Sequence, residues 1–129
     1  MPRVAAAFFA MGVLSILCGG AIGIYMAGSN NNTFVDLHVH LNLVGWATMG
    51  LCGAFYGLTR ETLPVRFAWI NFLVLTAGIV VFFPAFFLFL KNGNDPAYEP
   101  FMKAGNALTG LGMVLFALAV FSELFRKRA

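Results

Sequence analysis

Residues 37–58 read Leu37-His38-Val39-His40-Leu41-Asn42-Leu43-Val44-Gly45-Trp46-Ala47-Thr48-Met49-Gly50-Leu51-Cys52-Gly53-Ala54-Phe55-Tyr56-Gly57-Leu58, a run without one Asp, Glu, Lys or Arg. A helix needs about 20 predominantly apolar residues to cross a bilayer core, and this run supplies them. Three further runs match it in length, at 4–26, 67–90 and 101–125. Of the 129 residues, 60% are hydrophobic and 10% charged, and the mean hydropathy is +0.86, values that exclude an ordinary soluble domain. The expected fold is an all-α membrane protein, a four-transmembrane-helix bundle forming a single domain over residues 1–129. Its loops are too short to act as linkers.

The first run follows Met1, Pro2 and Arg3 directly and is longer than a signal-peptide core. Ala5-Ala6-Ala7 lies at the front of the apolar run, not behind it as a cleavage site would, so the segment is expected to stay as a span. Arg3, Arg60, Arg66, Arg126, Lys127 and Arg128 gather on one side of the four spans, with only Lys91 and Lys103 on the other. The bias of Lys and Arg toward the cytoplasm then puts both termini inside. The loops 28–33 and 91–100 face out, and a bacterial cytoplasmic membrane is the expected location. Topology accounts for the net charge of +3, so no nucleic-acid partner is inferred.

Cys18 and Cys52 fall inside spans, where packing as small hydrophobes is expected rather than a disulfide or soluble zinc site. Glycines at three- and four-residue spacings suit close helix packing: Gly12, Gly19, Gly20 and Gly23 in the first span, Gly45, Gly50, Gly53 and Gly57 in the second, Gly105, Gly110 and Gly112 in the fourth. Pro84, inside the aromatic run 82–89, is expected to kink the third span near its outer end. Lipid contact or packing explains those aromatics better than a flat ligand does. Tyr25, Tyr56 and Trp69 fall near span ends, as interfacial anchors do.

His38 and His40 are the only histidines. Helical residues two apart are turned about 200° from each other and rise about 3 Å, so the two rings point to nearly opposite faces. They cannot grip one iron together, but they can grip two. Polar side chains inside a membrane usually mark a site, and neutral imidazole is a common axial ligand of haem b. Each ligand needs an orienting hydrogen bond to its second ring nitrogen, for which Asp36, Asn42 and the 30–33 loop are candidates. The plainer reading makes both histidines interfacial side chains bonded to Asn32, Thr33, water or headgroups. A copper site at the outer face is a third possibility.

The run His40-Leu41-Asn42-Leu43-Val44-Gly45-Trp46, continuing to Gly53-Ala54-Phe55-Tyr56-Gly57-Leu58, resembles the second helix of the catalytic subunit of the haem-copper oxidase superfamily, closest to its nitric oxide reductase branch. His40 stands where that helix carries its low-spin haem ligand. His38-Val39-His40 also resembles the His-x-His of the family's tenth helix, whose histidines serve two haems from opposite faces. The family subunit has twelve helices in three arcs of four, and this chain has the helix count of one arc. The resemblance implies a homotrimer that rebuilds the twelve-helix subunit from identical chains. In it, haem b is held at subunit interfaces by His38 and His40 of adjacent copies, with Asn42 nearby and Lys91 and Lys103 as partners for the propionates.

A homodimer with two copies of His40 on one haem is the structural competitor. Two histidines leave no copper cluster, the family's His-x-x-x-Tyr motif is absent, and no span carries a mid-membrane Asp or Glu. Electron transfer with a redox protein or quinol is therefore expected rather than oxidase or reductase catalysis. The competing functions are a non-haem accessory or assembly protein and a copper- or zinc-handling protein.

Overall fold

The computed structural model describes residues 1–127, so Arg128, counted above among the cytoplasmic charges, lies outside the described residues. Four helices account for nearly all of them: α1 (Arg3–Ser29), α2 (Val35–Leu58), α3 (Val65–Lys91) and α4 (Glu99–Leu124), the last entered through a 3-10 turn at Pro96–Tyr98. No strand occurs among the described residues. All four helices are long and apolar enough to cross a membrane. Seven of the eight helix ends lie within three residues beyond the apolar runs or coincide with them, because a helix continues until the chain is capped or turned. Pro2 and Pro64 fix extended backbone before α1 and α3, and Asn30 ends α1 in the left-handed region at φ 54°.

α2 is not one regular α-helix. It begins as α-helix over Val35–His40, widens to a π-helix over Leu41–Thr48, and returns to α-helix over Met49–Leu58. The Thr48 hydroxyl donates to the Leu43 carbonyl five residues back at 3.1 Å, matching the wider turn. π segments in helices are uncommon and frequent near functional positions. This one starts at the residue after His40.

Packing is pairwise. α1 lies along α2 and α3 along α4, and α3 joins the pairs by touching α1 and the histidine end of α2. The buried residues of α4 are Gly105, Gly112 and Ala119, seven apart, a heptad seam of small residues. A Cβ at Gly105 would come within 2.6 Å of the Phe82 Cβ, and one at Gly112 would overlap Leu75. Large α3 side chains thus sit over the missing side chains of α4, the contact that substitutes for a hydrophobic drive in lipid. The expectation for glycine holds there and at Gly12, Gly19, Gly23, Gly45 and Gly53, whereas Gly20 and Gly110 face open space.

Toward the end of the bundle opposite the histidines, the core is aromatic and contains a polar pair. Phe8 of α1 is fully buried between Tyr56 of α2, ring centroids 5.5 Å apart, and Phe72 of α3, edge-on at 5.3 Å. The Asn71 amide of α3 donates to the Tyr56 hydroxyl at 2.6 Å, with both residues buried. Tyr56 is therefore no interfacial anchor: its hydroxyl has a partner inside the bundle and does not need the headgroup layer. Trp69 is half-buried against Phe72, and Tyr25 is exposed.

Cys52 is buried as expected, but Cys18 is exposed, on an open groove that it lines with Leu41 of α2 and Ile79 and Phe83 of α3. Phe82 and Phe83 are core residues. Pro84 sits on the exposed side of α3, which continues as helix to Lys91, so the proline does not end the span.

Candidate functional site

His38 and His40 occupy the last turn of the α-helical start of α2, and the structure turns them to different neighbours as their spacing requires. His38 enters a notch that α1 leaves by having no side chains at Gly19 and Gly23. A Cβ at Gly23 would lie 3.0 Å from His38 Cε1. His38 Nδ1 donates to the Gly19 carbonyl at 2.7 Å. On the other side of the helix, His40 packs between Phe82 and Phe86 of α3, ring centroids 5.9 and 5.7 Å away. Its Nδ1 donates to the Asp36 carbonyl, one turn back, also at 2.7 Å.

The two bonds have one chemical consequence. A carbonyl oxygen only accepts, so each Nδ1 carries a proton, and in the neutral imidazole each Nε2 then carries a lone pair. Main-chain fixation of one ring nitrogen with the other free to coordinate is the usual arrangement of a metal-binding histidine. His40 Nε2 has no hydrogen-bond partner among the described residues, and the ring is half-buried beside the two phenylalanines. His38 Nε2 accepts a long bond from the Asn42 amide at 3.3 Å, while Asn42 Oδ1 is buried without a partner.

The orienting bonds come from backbone, at Gly19 and Asp36, and not from the side chains of Asp36, Asn42 or the 30–33 loop. Asn42 instead faces Nε2 of His38. The loop side chains satisfy one another: Asn31 Oδ1 takes the Thr33 amide at 3.1 Å and the Thr33 hydroxyl. Such a main-chain partner leaves no residue signature, and neither it nor the π segment could be read from the chain. Lys91 ends α3 with its Nζ 6.0 Å from the Phe87 ring centroid, beside a separate cavity. Lys103 is exposed on α4. The site therefore gathers His38 and Asn42 on one face of α2 and His40 on the other, with both lysines apart from them.

Among the described residues no group of three or more His, Cys, Asp or Glu side chains could hold a metal ion. No protein-family model matches the chain, and no solved structure matches it.

Proposed function

We propose that this chain is a membrane b-type cytochrome in which His38 of one copy and His40 of its neighbour ligate a shared haem iron for electron transfer. The observation that carries the reading is the matched pair of 2.7 Å bonds from Nδ1 to main-chain carbonyls, which leave Nε2 of each ring as the nitrogen that could coordinate, free in His40 and held by Asn42 alone in His38. The donor set fits the group. Imidazole is a haem ligand, Phe82 and Phe86 give His40 flat apolar walls, and the 3.3 Å contact with Asn42 is all that His38 Nε2 would exchange. When bound, the haem would supply one-electron chemistry, and two imidazoles leave its iron no open position, which suits electron transfer over catalysis.

Opposed rings on one helix cannot share an iron within a chain, so a cyclic oligomer follows, in which each copy offers one face of α2 to each neighbour. A homotrimer is favoured over a homodimer because it uses both histidines and rebuilds three arcs of four helices. α4 leaves Leu111, Val114, Leu118 and Phe121 exposed, an apolar surface that a neighbour or lipid would cover. Lys103, and Lys91 if it turns from its cavity, are the cations available to propionates. Both termini would lie in the cytoplasm of a bacterium, with the donor or acceptor a redox protein or a quinol.

A second reading also has an observation behind it. Gly19 and Asn42 engage both ring nitrogens of His38, as they would in an accessory protein where the histidine only pins α1 to α2. Optical spectra of the purified full chain decide. The cytochrome shows a Soret band with sharp α and β bands on reduction. Loss of all haem in His40→Ala, with loss or a five-coordinate spectrum in His38→Ala, supports the trimer. Unchanged haem in His38→Ala supports the dimer, and a colourless preparation overturns the cytochrome reading.

A further inference from the structure

At the histidine end of the bundle, on a side the haem ligands do not use, a cavity of about 510 Å³ opens between α1, the loop before α2 and the end of α3. Its size lies within the range of about 300–1,000 Å³ typical of small-molecule sites. Ile22, Tyr25, Phe34 and Phe87 form its apolar wall, with Phe34 and Phe87 stacked at 5.1 Å and 13°. Asn31 and Lys91 stand at the same cavity, and Lys91 is its only charged lining residue.

Lys91 makes no hydrogen bond or ion pair among the described residues, and beyond its place in the last turn of α3 its one contact is the Phe87 ring. The only ion pair among the described residues joins Arg126 and Glu123, far along the chain from Lys91. Nor does its ammonium cap α3, because Asn92 donates to the Leu88 carbonyl and the Asn94 amide donates to that of Phe89. Its charge is left over the Phe87 ring, on the cavity wall. Asn31 Oδ1 is already used by Thr33, so what Asn31 can still offer the cavity is its N–H groups. One uncompensated cation and amide donors above an aromatic trough, at the end of a helix long enough to cross a membrane, match a molecule with an anionic head and an apolar chain.

We propose that this cavity binds an anionic phospholipid of the leaflet on the histidine side, with the phosphate on Lys91 and Asn31 and an acyl chain along Ile22, Phe34 and Phe87. This gives Lys91 a role apart from the histidines and leaves the propionates of the proposed haem to Lys103. The assignment does not depend on haem being present.

Native mass spectrometry of the full-length chain, released from micelles containing equal phosphatidylglycerol and phosphatidylcholine, tests it. The expected result is retention of phosphatidylglycerol over phosphatidylcholine by about fivefold, the size of one lysine's attraction to an anionic surface. Lys91→Gln should bring the ratio to parity and Lys103→Gln should leave it unchanged. Ile22→Trp, which fills the trough without altering charge, should reduce retention of both lipids. Millimolar inorganic phosphate should not displace the lipid. Equal retention by the wild type, a preference that survives Lys91→Gln, equal losses in the two lysine variants, or displacement by free phosphate would each overturn the proposal.

Discussion

The two sides of α2, one turn from its end, carry the same side chain in opposite circumstances. His38 lies in a glycine notch of α1 with both ring nitrogens engaged, whereas His40 lies against Phe82 and Phe86 of α3 with Nε2 free. The same 2.7 Å bond to a carbonyl holds each ring, so the tautomer does not distinguish them. Access does. His40 thus presents a free Nε2 as it stands, whereas His38 would have to give up Asn42 before it could coordinate.

The largest expected effect comes from removing the free side. His40→Ala should abolish haem retention in either proposed assembly, read as haem per chain after purification. His38→Ala should leave, at most, a high-spin five-coordinate spectrum if the ring behind Asn42 is the second ligand. A low-spin spectrum in that variant would show that only one face of α2 works.

Closing the notch is the next test. Gly19→Val would drive a side chain into Asn42 and Leu41, and overpacking a close helix contact costs about 1–3 kcal/mol. Thermal unfolding in detergent should show that loss, and the His38 contribution to any spectrum should fall while that of His40 stays. Gly20→Val, where nothing lies within 4 Å, is the matched control and should change neither.

Much of this arrangement was legible in the chain. Four apolar runs gave four helices because membrane-crossing length is a property of composition, and two histidines two residues apart had to diverge because the α-helical turn leaves no choice. What stayed hidden depends on partners distant in sequence. Tyr56 read as an interfacial anchor, since its position near a span end looks the same whether its hydroxyl meets headgroups or the Asn71 amide of another helix. Cys18 read as packed because burial depends on which face of α1 meets a neighbour, and a helix apolar all round does not disclose that. Backbone carbonyls orient both imidazoles, and every residue type has one.

Away from the histidines, the Tyr56–Asn71 bond gives a polar contact to set against the Asn42–His38 one. Asn71→Ala should destabilise the bundle by about 1–3 kcal/mol, because it strands a buried hydroxyl as well as opening space. Its spectrum should match the wild type. A spectral change would mean that the α2–α3 contact at the opposite end of the bundle controls how His40 is held.

The smallest effect expected is at Asn42. If its 3.3 Å contact merely fills the His38 Nε2 position until iron takes it, Asn42→Ala should keep the paired-histidine spectrum and the haem content. Loss of low-spin character there would make Asn42 a necessary support for His38 and would narrow the difference between the two faces.

Haem per chain in the purified wild-type protein, measured beside its reduced-minus-oxidised spectrum, tests the central claim most directly. Divergent histidines used between neighbours predict one low-spin haem for each chain, with sharp α and β bands. A preparation that carries no haem after expression with ample haem supply would contradict the account.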